Sequence, residues 1–567
     1  MNYLESFRFW RDNSFFDEET RLELSRLDEV KDAQEIEDRF CKELEFGTAG
    51  LRAVMGAGTN RLNKYVIAKA TAGYAIYLTK KYNADCLKNR GVVVCYDTRN
   101  DSRFFAEVAS QVFSGYGIAV RLFENPRPIP VLSFSIKKFR AVGGVMITAS
   151  HNTKEYNGYK VYDEIGCQLG IDESNEVTNC IRQIKSFDEI DFLGKNELVN
   201  QIDTTSEFVD KILTTSKFGN KKAKKNFKIV YTSLYGTGLV PVTMALEKDG
   251  FLSMMLVDEQ SEPNGNFPTV ISPNPGDIHA LELGILKAGK CGADIVVGTD
   301  PDSDRVGVAV FHNGKFEHLT GNQIGVILAD FILQSLDKEK IKKPAIIKSV
   351  VSSNFSLSLA KDYGASVFET LTGFKFIGRL VQEFETAKLE HKQKYDYDFL
   401  IGYEESYGFL TNTFVRDKDA VGSAMLICEY GAKLKANGKT LIDRLNELYL
   451  KYGYCLDEQE DINLCGSQRL QNFSDIMKSL RESNFSFNGK AKVIDFINGK
   501  KLDDSFSELP SSNVILYKFE DNSFVAVRPS GTEPKIKLYY SIFGKDFDDA
   551  KLKKQSYEKM LKEIIKV

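Results

Sequence analysis

The chain has 567 residues, 43% hydrophobic and 27% charged, an ordinary globular balance that gives a prior of roughly four domains at about 150 residues each. A net charge of −4 and a pI near 6.0 argue against a polyanion-binding surface, so no nucleic-acid partner is expected, although a local basic pocket for a small anion is compatible with them. Nine cysteines stand singly with no CxxC pair, the N-terminal MNYLESFRFWRDN lacks the apolar core of a secretory signal, and no run approaches the ~18 apolar residues of a membrane span. These features predict reduced thiols, no membrane association and a cytoplasmic location.

Residues 1 to about 45 are highly charged, with Leu22, Leu24 and Leu27 at helical spacing, which predicts an N-terminal helical extension. A repeated unit follows: a short apolar run, a polar loop, then an amphipathic segment. Strands are predicted at 91–96, 142–147, 227–231, 294–297, 345–351 and 399–401, alternating with helices, the pattern of parallel or mixed α/β sheets. Soft breaks are expected near 190–207, 312–322 and 437–465. The end of the chain differs, with closely spaced strands predicted at 514–517, 523–527 and 536–540 and a helix over 546–562, a smaller α+β domain.

Unusual polar loops follow the apolar runs: TASHN (148–152), DPDSDR (300–305), YEES (403–406) and RPSGT (528–532). Ligands of open α/β sheets bind at the carboxyl ends of strands, so such loops are expected to converge on one cleft. A turn serine such as Ser150 is ordinarily a cap or turn residue. Here His151 adjoins it, and the loop TKEYNGYK that follows offers Lys160 as proton acceptor or anion partner. Asp300, Asp302 and Asp304 alternate in DPDSDR. A calcium EF-hand is ruled out, because Arg305 stands where the loop needs glycine and Phe311 where it needs a bidentate glutamate. A compact carboxylate set with room for water and a phosphate oxygen fits Mg²⁺. YEES pairs Glu404 with Ser406, acceptor and donor for sugar hydroxyls, or forms a charged turn. Arg528, Ser530, Gly531 and Thr532 offer a guanidinium fork, hydroxyls and a flexible backbone to phosphate, or form a surface turn. Lys418 in VRDKD reads equally as a phosphate contact or a charged turn, and GTAGLR ends at Arg52 after a Gly-rich loop open to an anion.

Taken in order, GTAGLR (47–52), TASHN, NGYK (157–160), GTDPDSDR (298–305), TGFKFIG (372–378), GYEESYG (402–408) and RPSGTEPK (528–535) resemble the α-D-phosphohexomutase family over nearly the whole chain. The resemblance implies four domains around a central cleft, three related α/β units and a smaller C-terminal α+β domain, with expected bounds 1–45 (extension), 46–205, 206–318, 319–455 and 456–567. It implies that Ser150 carries the transferred phosphoryl group, that Asp300, Asp302 and Asp304 hold Mg²⁺ together with a phosphoserine oxygen, and that His151, Lys160, Arg52 and Arg305 surround the group, Lys160 as general acid/base. Glu404 and Ser406 would hold sugar hydroxyls. Lys418, Arg528, Ser530, Gly531 and Thr532 would bind the other phosphate, with Lys375 as a further contact. The implied substrate is a hexose phosphate, and glucose 1,6-bisphosphate the intermediate and activator. The glutamate–serine sugar loop favours glucose 1-phosphate and glucose 6-phosphate; mannose and pentose phosphates are the alternatives, and a serine/metal phosphatase is the rival chemistry.

Overall fold

The computed structural model describes residues 2–47, 50–463, 469–483, 485–498, 509–529 and 535–565. The chain divides into two compact units, residues 1–318 with 408–433, and residues 319–407 with 434–567.

The first unit begins with three short helices, Tyr3–Asp12, Glu18–Ser25 and Ala33–Phe40. Asn2 and Asp17 accept hydrogen bonds from the first turns of the first two, satisfying N–H groups that a helix start otherwise leaves unpaired. Their apolar faces supply Phe7, Trp10, Leu24, Ile36 and Phe40, and the connection between the first two supplies Phe16, to one buried cluster with Tyr65. Trp10 stacks on Phe16 with centroids 4.3 Å apart, and the Tyr65 hydroxyl donates to Asp17 at 2.7 Å.

Behind this cap lies a six-stranded sheet in the order β1-β5-β4-β2-β3-β6, from β1 (Leu51–Val54), β2 (Val92–Tyr96), β3 (Val120–Phe123), β4 (Gly143–Ile147), β5 (Tyr156–Asp163) and β6 (Val199–Ile202). β2 pairs in parallel with β3 and β4, whereas β4–β5 and β5–β1 are antiparallel. β2 and β4 are buried along their whole length, as sheets covered on both faces require. The stretch read as the loop TKEYNGYK is therefore largely strand β5. Its NGYKVYD sequence carries β-formers on both faces, and pairing with β4 sets Lys160 opposite Met146.

A second sheet, ordered β11-β10-β9-β7-β8, holds β7 (Ile229–Thr232), β8 (Met254–Leu256), β9 (Ile295–Thr299), β10 (Val306–His312) and β11 (Lys315–Leu319). β9 and β10 are antiparallel with Thr299 opposite Val306, so DPDSDR is the tight connection of a hairpin. The break expected near 312–322 is a second hairpin at Asn313–Gly314, both residues at positive φ as an Asn-Gly turn favours. Strand β15 (Gly408–Leu410) and the chain to Lys433 also belong to this unit.

In the second unit, β12 (Pro344–Ser349) pairs in parallel with β13 (Ser366–Thr370) and β14 (Asp398–Glu404). The terminal sheet is antiparallel, ordered β16-β20-β19-β18-β17, from β16 (Tyr454–Asn463), β17 (Ala491–Asp495), β18 (Ile515–Phe519), β19 (Phe524–Pro529) and β20 (Lys535–Gly544). The C-terminal helix Phe547–Ile565 covers it, with Phe519 and Tyr557 stacked at 4.4 Å.

Phe7 is fully buried against Phe40 in the N-terminal cluster. Phe7→Ala is expected to cost about 3–5 kcal/mol through lost burial and a residual cavity. The fluorescence of Trp10, the chain's one tryptophan, reads this directly as a lowered denaturant midpoint.

Candidate active site

β4 ends at Ile147, and the chain turns at once through Thr148-Ala149-Ser150. Ser150 is 2% exposed and sits in the left-handed region at φ 53°, a conformation uncommon outside glycine. Two contacts of its backbone hold it there. Its N–H donates to Thr148 Oγ1 at 2.8 Å, and its carbonyl accepts from Arg99 Nη2 at 2.6 Å. Arg99 also donates to the carbonyls of Thr153 and Tyr156 at 2.9 and 3.0 Å, collecting the turn around one guanidinium that lies over the Phe267 ring. Thr148 is fixed in turn by donation to Asp97 at 2.6 Å. Asp97 and Arg99 come from YDTR, directly after β2. Here too an apolar run leads into a polar loop, the same pattern that marks TASHN and DPDSDR.

The Ser150 hydroxyl donates to Asp300 Oδ2 at 3.0 Å and lies 3.1 Å from His151 Nδ1. Burial, reinforced by Arg305 and Arg52, pushes the His151 imidazole well below its ordinary value, so a neutral ring faces the hydroxyl. Arg52 enters from β1, its Nη1 3.2 Å from Asn152 Oδ1. Gly50, two residues before it, has φ +101°, and a Cβ there would meet the Tyr159 carbonyl at 1.9 Å, so only glycine lets the chain at Gly50 lie against β5.

Asp300, Asp302 and Asp304 are at most 1% exposed and offer ligand oxygens within 4.8 Å of one another. The hairpin folds onto its first carboxylate, Asp300 Oδ1 accepting the N–H of Asp304 and of Arg305 at 3.1 and 2.9 Å. Burial, and then Asp302 and Asp304, push the Asp300 carboxyl well above its usual range. Burial also works against charge on Asp302, yet Lys160 holds that carboxyl below the usual range. Lys160 Nζ lies 2.8 Å from Asp302 and 3.7 Å from Asp304. Lys418 Nζ lies 3.1 Å from Asp304, which sets Lys418 at the carboxylate cluster of the first unit. Arg305 Nε is 3.8 Å from Asp304. Asp302 Oδ1 and Asp304 Oδ1 are buried without a hydrogen-bond partner, unlike most buried polar atoms. Three adjacent carboxylates with two buried oxygens that make no hydrogen bond suit a hard divalent cation.

The second unit carries the remaining candidates. Glu404 ends β14, 7% exposed, and accepts the N–H of Gly373 at 2.7 Å, which joins the GYEES and TGFK segments. Lys375 lies in the first turn of helix Phe374–Leu389 with its ammonium 5.5 Å from the Phe376 ring centre. Ser406 is half-buried in the turn after β14. Arg528 stands near the end of β19 opposite Lys537 and hydrogen-bonds Tyr539. Ser530, Gly531 and Thr532 lie outside the described residues, as do Thr48 and Ala49 of GTAGLR.

The family patterns for phosphoglucomutase/phosphomannomutase α/β/α domains I, II and III match residues 43–188, 206–314 and 320–452. A phosphoglucomutase of Staphylococcus aureus is 37% identical over 531 residues, 91% of this chain and 93% of its own. One of Staphylococcus epidermidis is 36% identical over 537 residues, 91% of this chain and 94% of its own. The crystal structure of parafusin, a phosphoglucomutase from Paramecium in its open form, has the same fold with a TM-score of 0.70 at 17% identity, covering 92% of this chain and 95% of that one.

Asp302→Asn removes one charge from the cluster while keeping its shape. It is expected to weaken Mn²⁺ or Mg²⁺ binding at least about tenfold, measured by isothermal titration on the otherwise intact protein.

Proposed function

The chain belongs to the phosphoglucomutase/phosphomannomutase family and is a phosphotransferase of the isomerase class, and from that premise we propose that it interconverts glucose 1-phosphate and glucose 6-phosphate through phospho-Ser150 and glucose 1,6-bisphosphate. The observation that carries the reading is the Ser150 hydroxyl, buried and 3.0 Å from the carboxylate cluster.

Asp300, Asp302 and Asp304 are the residues that would hold Mg²⁺, with an oxygen of the phosphoserine. Bound there, the ion neutralises charge on the phosphoryl group, which phosphoryl transfer needs more than covalent help from the protein. The bond from Ser150 Oγ to phosphorus breaks as a sugar hydroxyl oxygen bonds the same phosphorus, giving the bisphosphate. The hydroxyl proton passes to the general base and a proton is restored to Ser150 Oγ. In the second half-reaction the other phosphate returns to Ser150. Lys160, anchored on Asp302, is suited to act as general acid/base and charge partner. Arg52 and Arg305 add positive charge, and neutral His151 keeps the serine oxygen oriented. Lys418, 3.1 Å from Asp304, brings its ammonium to the same phosphoryl end.

In the second unit, Glu404 and Ser406 are assigned to sugar hydroxyls. Arg528, with Ser530, Gly531, Thr532 and Lys375, is assigned to the phosphate not being transferred. The substrate is thus a hexose phosphate, and a cytoplasmic setting goes with it.

A coupled assay with glucose 1-phosphate, mannose 1-phosphate and ribose 1-phosphate, in Mg²⁺ with trace glucose 1,6-bisphosphate, tests the reading. Glucose 1-phosphate is expected to turn over fastest, without net release of inorganic phosphate; net release instead would favour the phosphatase. Ser150→Ala is expected to abolish turnover and, in intact-protein mass spectra, any one-phosphoryl increment the wild type carries. An active variant would remove Ser150 from its role.

A further inference from the structure

The segment Val415-Arg416-Asp417-Lys418-Asp419 buries four charged side chains in five residues, of which Lys418 alone has been given a role so far. Asp419 starts the helix Ala420–Lys435, accepting the N–H of Val421 and Gly422 at 3.0 Å each, and so is explained as a cap. Arg416 Nη1 donates to the Val415 carbonyl at 3.0 Å and is explained by folding the turn. Asp417 caps no helix, and its contacts reach beyond its own turn. It is 1% exposed, and a buried carboxylate is destabilising unless partners compensate its charge.

Its partners point one way. Oδ2 accepts from the Tyr162 hydroxyl at 3.0 Å and from Gln168 Nε2 at 2.9 Å, both from the β5 side of the first sheet. Oδ1 accepts the Lys418 N–H at 2.8 Å and lies 3.4 Å from the Lys418 ammonium. That ammonium is 3.1 Å from Asp304 on its other side. Lys418 is thus suspended between the carboxylate cluster and Asp417, and Asp417 is braced by two neutral donors that do not compete for its charge. Burial opposes that charge, but Lys418 and Lys160 hold the Asp417 carboxyl below its usual range.

We propose that Asp417 is a positioning residue for phosphoryl transfer, holding the Lys418 ammonium at the phosphoryl end of the site through a bracket formed with Tyr162 and Gln168. The inference rests on the mutase reading above. It makes Lys418 a preorganised charge, one that spends little reorganisation on meeting the transferring group.

A mutant cycle over wild type, Asp417→Asn, Lys418→Met and the double variant decides it, read as kcat and KM for glucose 1-phosphate and as single-turnover transfer from phospho-Ser150. Asp417→Asn is expected to lower kcat about 30-fold with KM changed less than about twofold, as for an interaction that matters most in the transition state. In the Lys418→Met background the same change is expected to cost less than about twofold, since residues acting as a unit are not additive. An equal loss in both backgrounds, or an Asp417→Asn enzyme with wild-type kcat, would overturn the proposal. Should Asp417→Asn fail to fold by circular dichroism, Tyr162→Phe decides instead: about a fivefold lower kcat in wild type and none in Lys418→Met supports the bracket, and any other pattern rejects it. A wild-type enzyme without mutase turnover would defeat the underlying reading, an outcome visible before any variant is made.

Discussion

Three carboxylates packed side by side out of water set the terms for the first unit. Asp300, Asp302 and Asp304 repel one another in a medium that screens poorly, and none can leave, because β9 and β10 close directly on the loop that bears them. The protein answers with positive charge from separate pieces of chain. Lys160 arrives because β5 runs antiparallel to β4, and Lys418 because residues 408–433 pack with this unit. Backbone N–H groups of Asp304 and Arg305 take the inner oxygen of Asp300. Two buried oxygens are left without a hydrogen bond, and the serine hydroxyl donates to the same cluster. Seen this way, the sheet order and the site answer one electrostatic demand.

The second unit solves a smaller version of the problem without leaving anything over. Lys348 is fully buried on β12, and its ammonium donates to Glu369 of β13 at 2.8 Å and to the Ser352 carbonyl at 3.1 Å. Lys518 of β18 reaches the other Glu369 oxygen at 2.7 Å. Burial opposes the Glu369 charge, but the two lysines bring its carboxyl down to about 2. Every polar atom of the glutamate is engaged, and one end of the triad comes from the terminal sheet. This is a structural tie; the aspartate cluster, with its unpartnered oxygens, has the character of a binding site.

Much of this was legible in the sequence, for identifiable reasons. The apolar runs of β2, β4, β9 and β12 are continuous because those strands are covered on both faces, and such runs stand out. The chemistry-bearing loops stood out because each follows such a run. What escaped was whatever depended on pairing. Tyr156–Asp163 is rich in polar residues and reads as a loop until β1 and β4 flank it. Asp97 and Arg99 follow the apolar run of β2, but which turn they serve shows only in the fold, where they act on Ser150 from about fifty residues away through carbonyls and a threonine hydroxyl. The family resemblance groups Lys418 with Arg528 at the phosphate that is not transferred; its ammonium lies 3.1 Å from Asp304. Spacing along the chain says which groups are available, and only the register says which of them meet.

The left-handed backbone of Ser150 has a wider implication. A threonine would carry the same hydroxyl, but a β-branched side chain is a true outlier at φ 53°. Glycine would sit there with ease and carry no hydroxyl at all. The position is therefore closed on both sides: substitutions that relax the turn silence the chemistry, and the one that keeps the chemistry strains the turn. Ser150→Gly therefore relaxes the turn and loses the hydroxyl in one step, whereas Ser150→Thr keeps the hydroxyl only by straining the turn that Arg99 gathers.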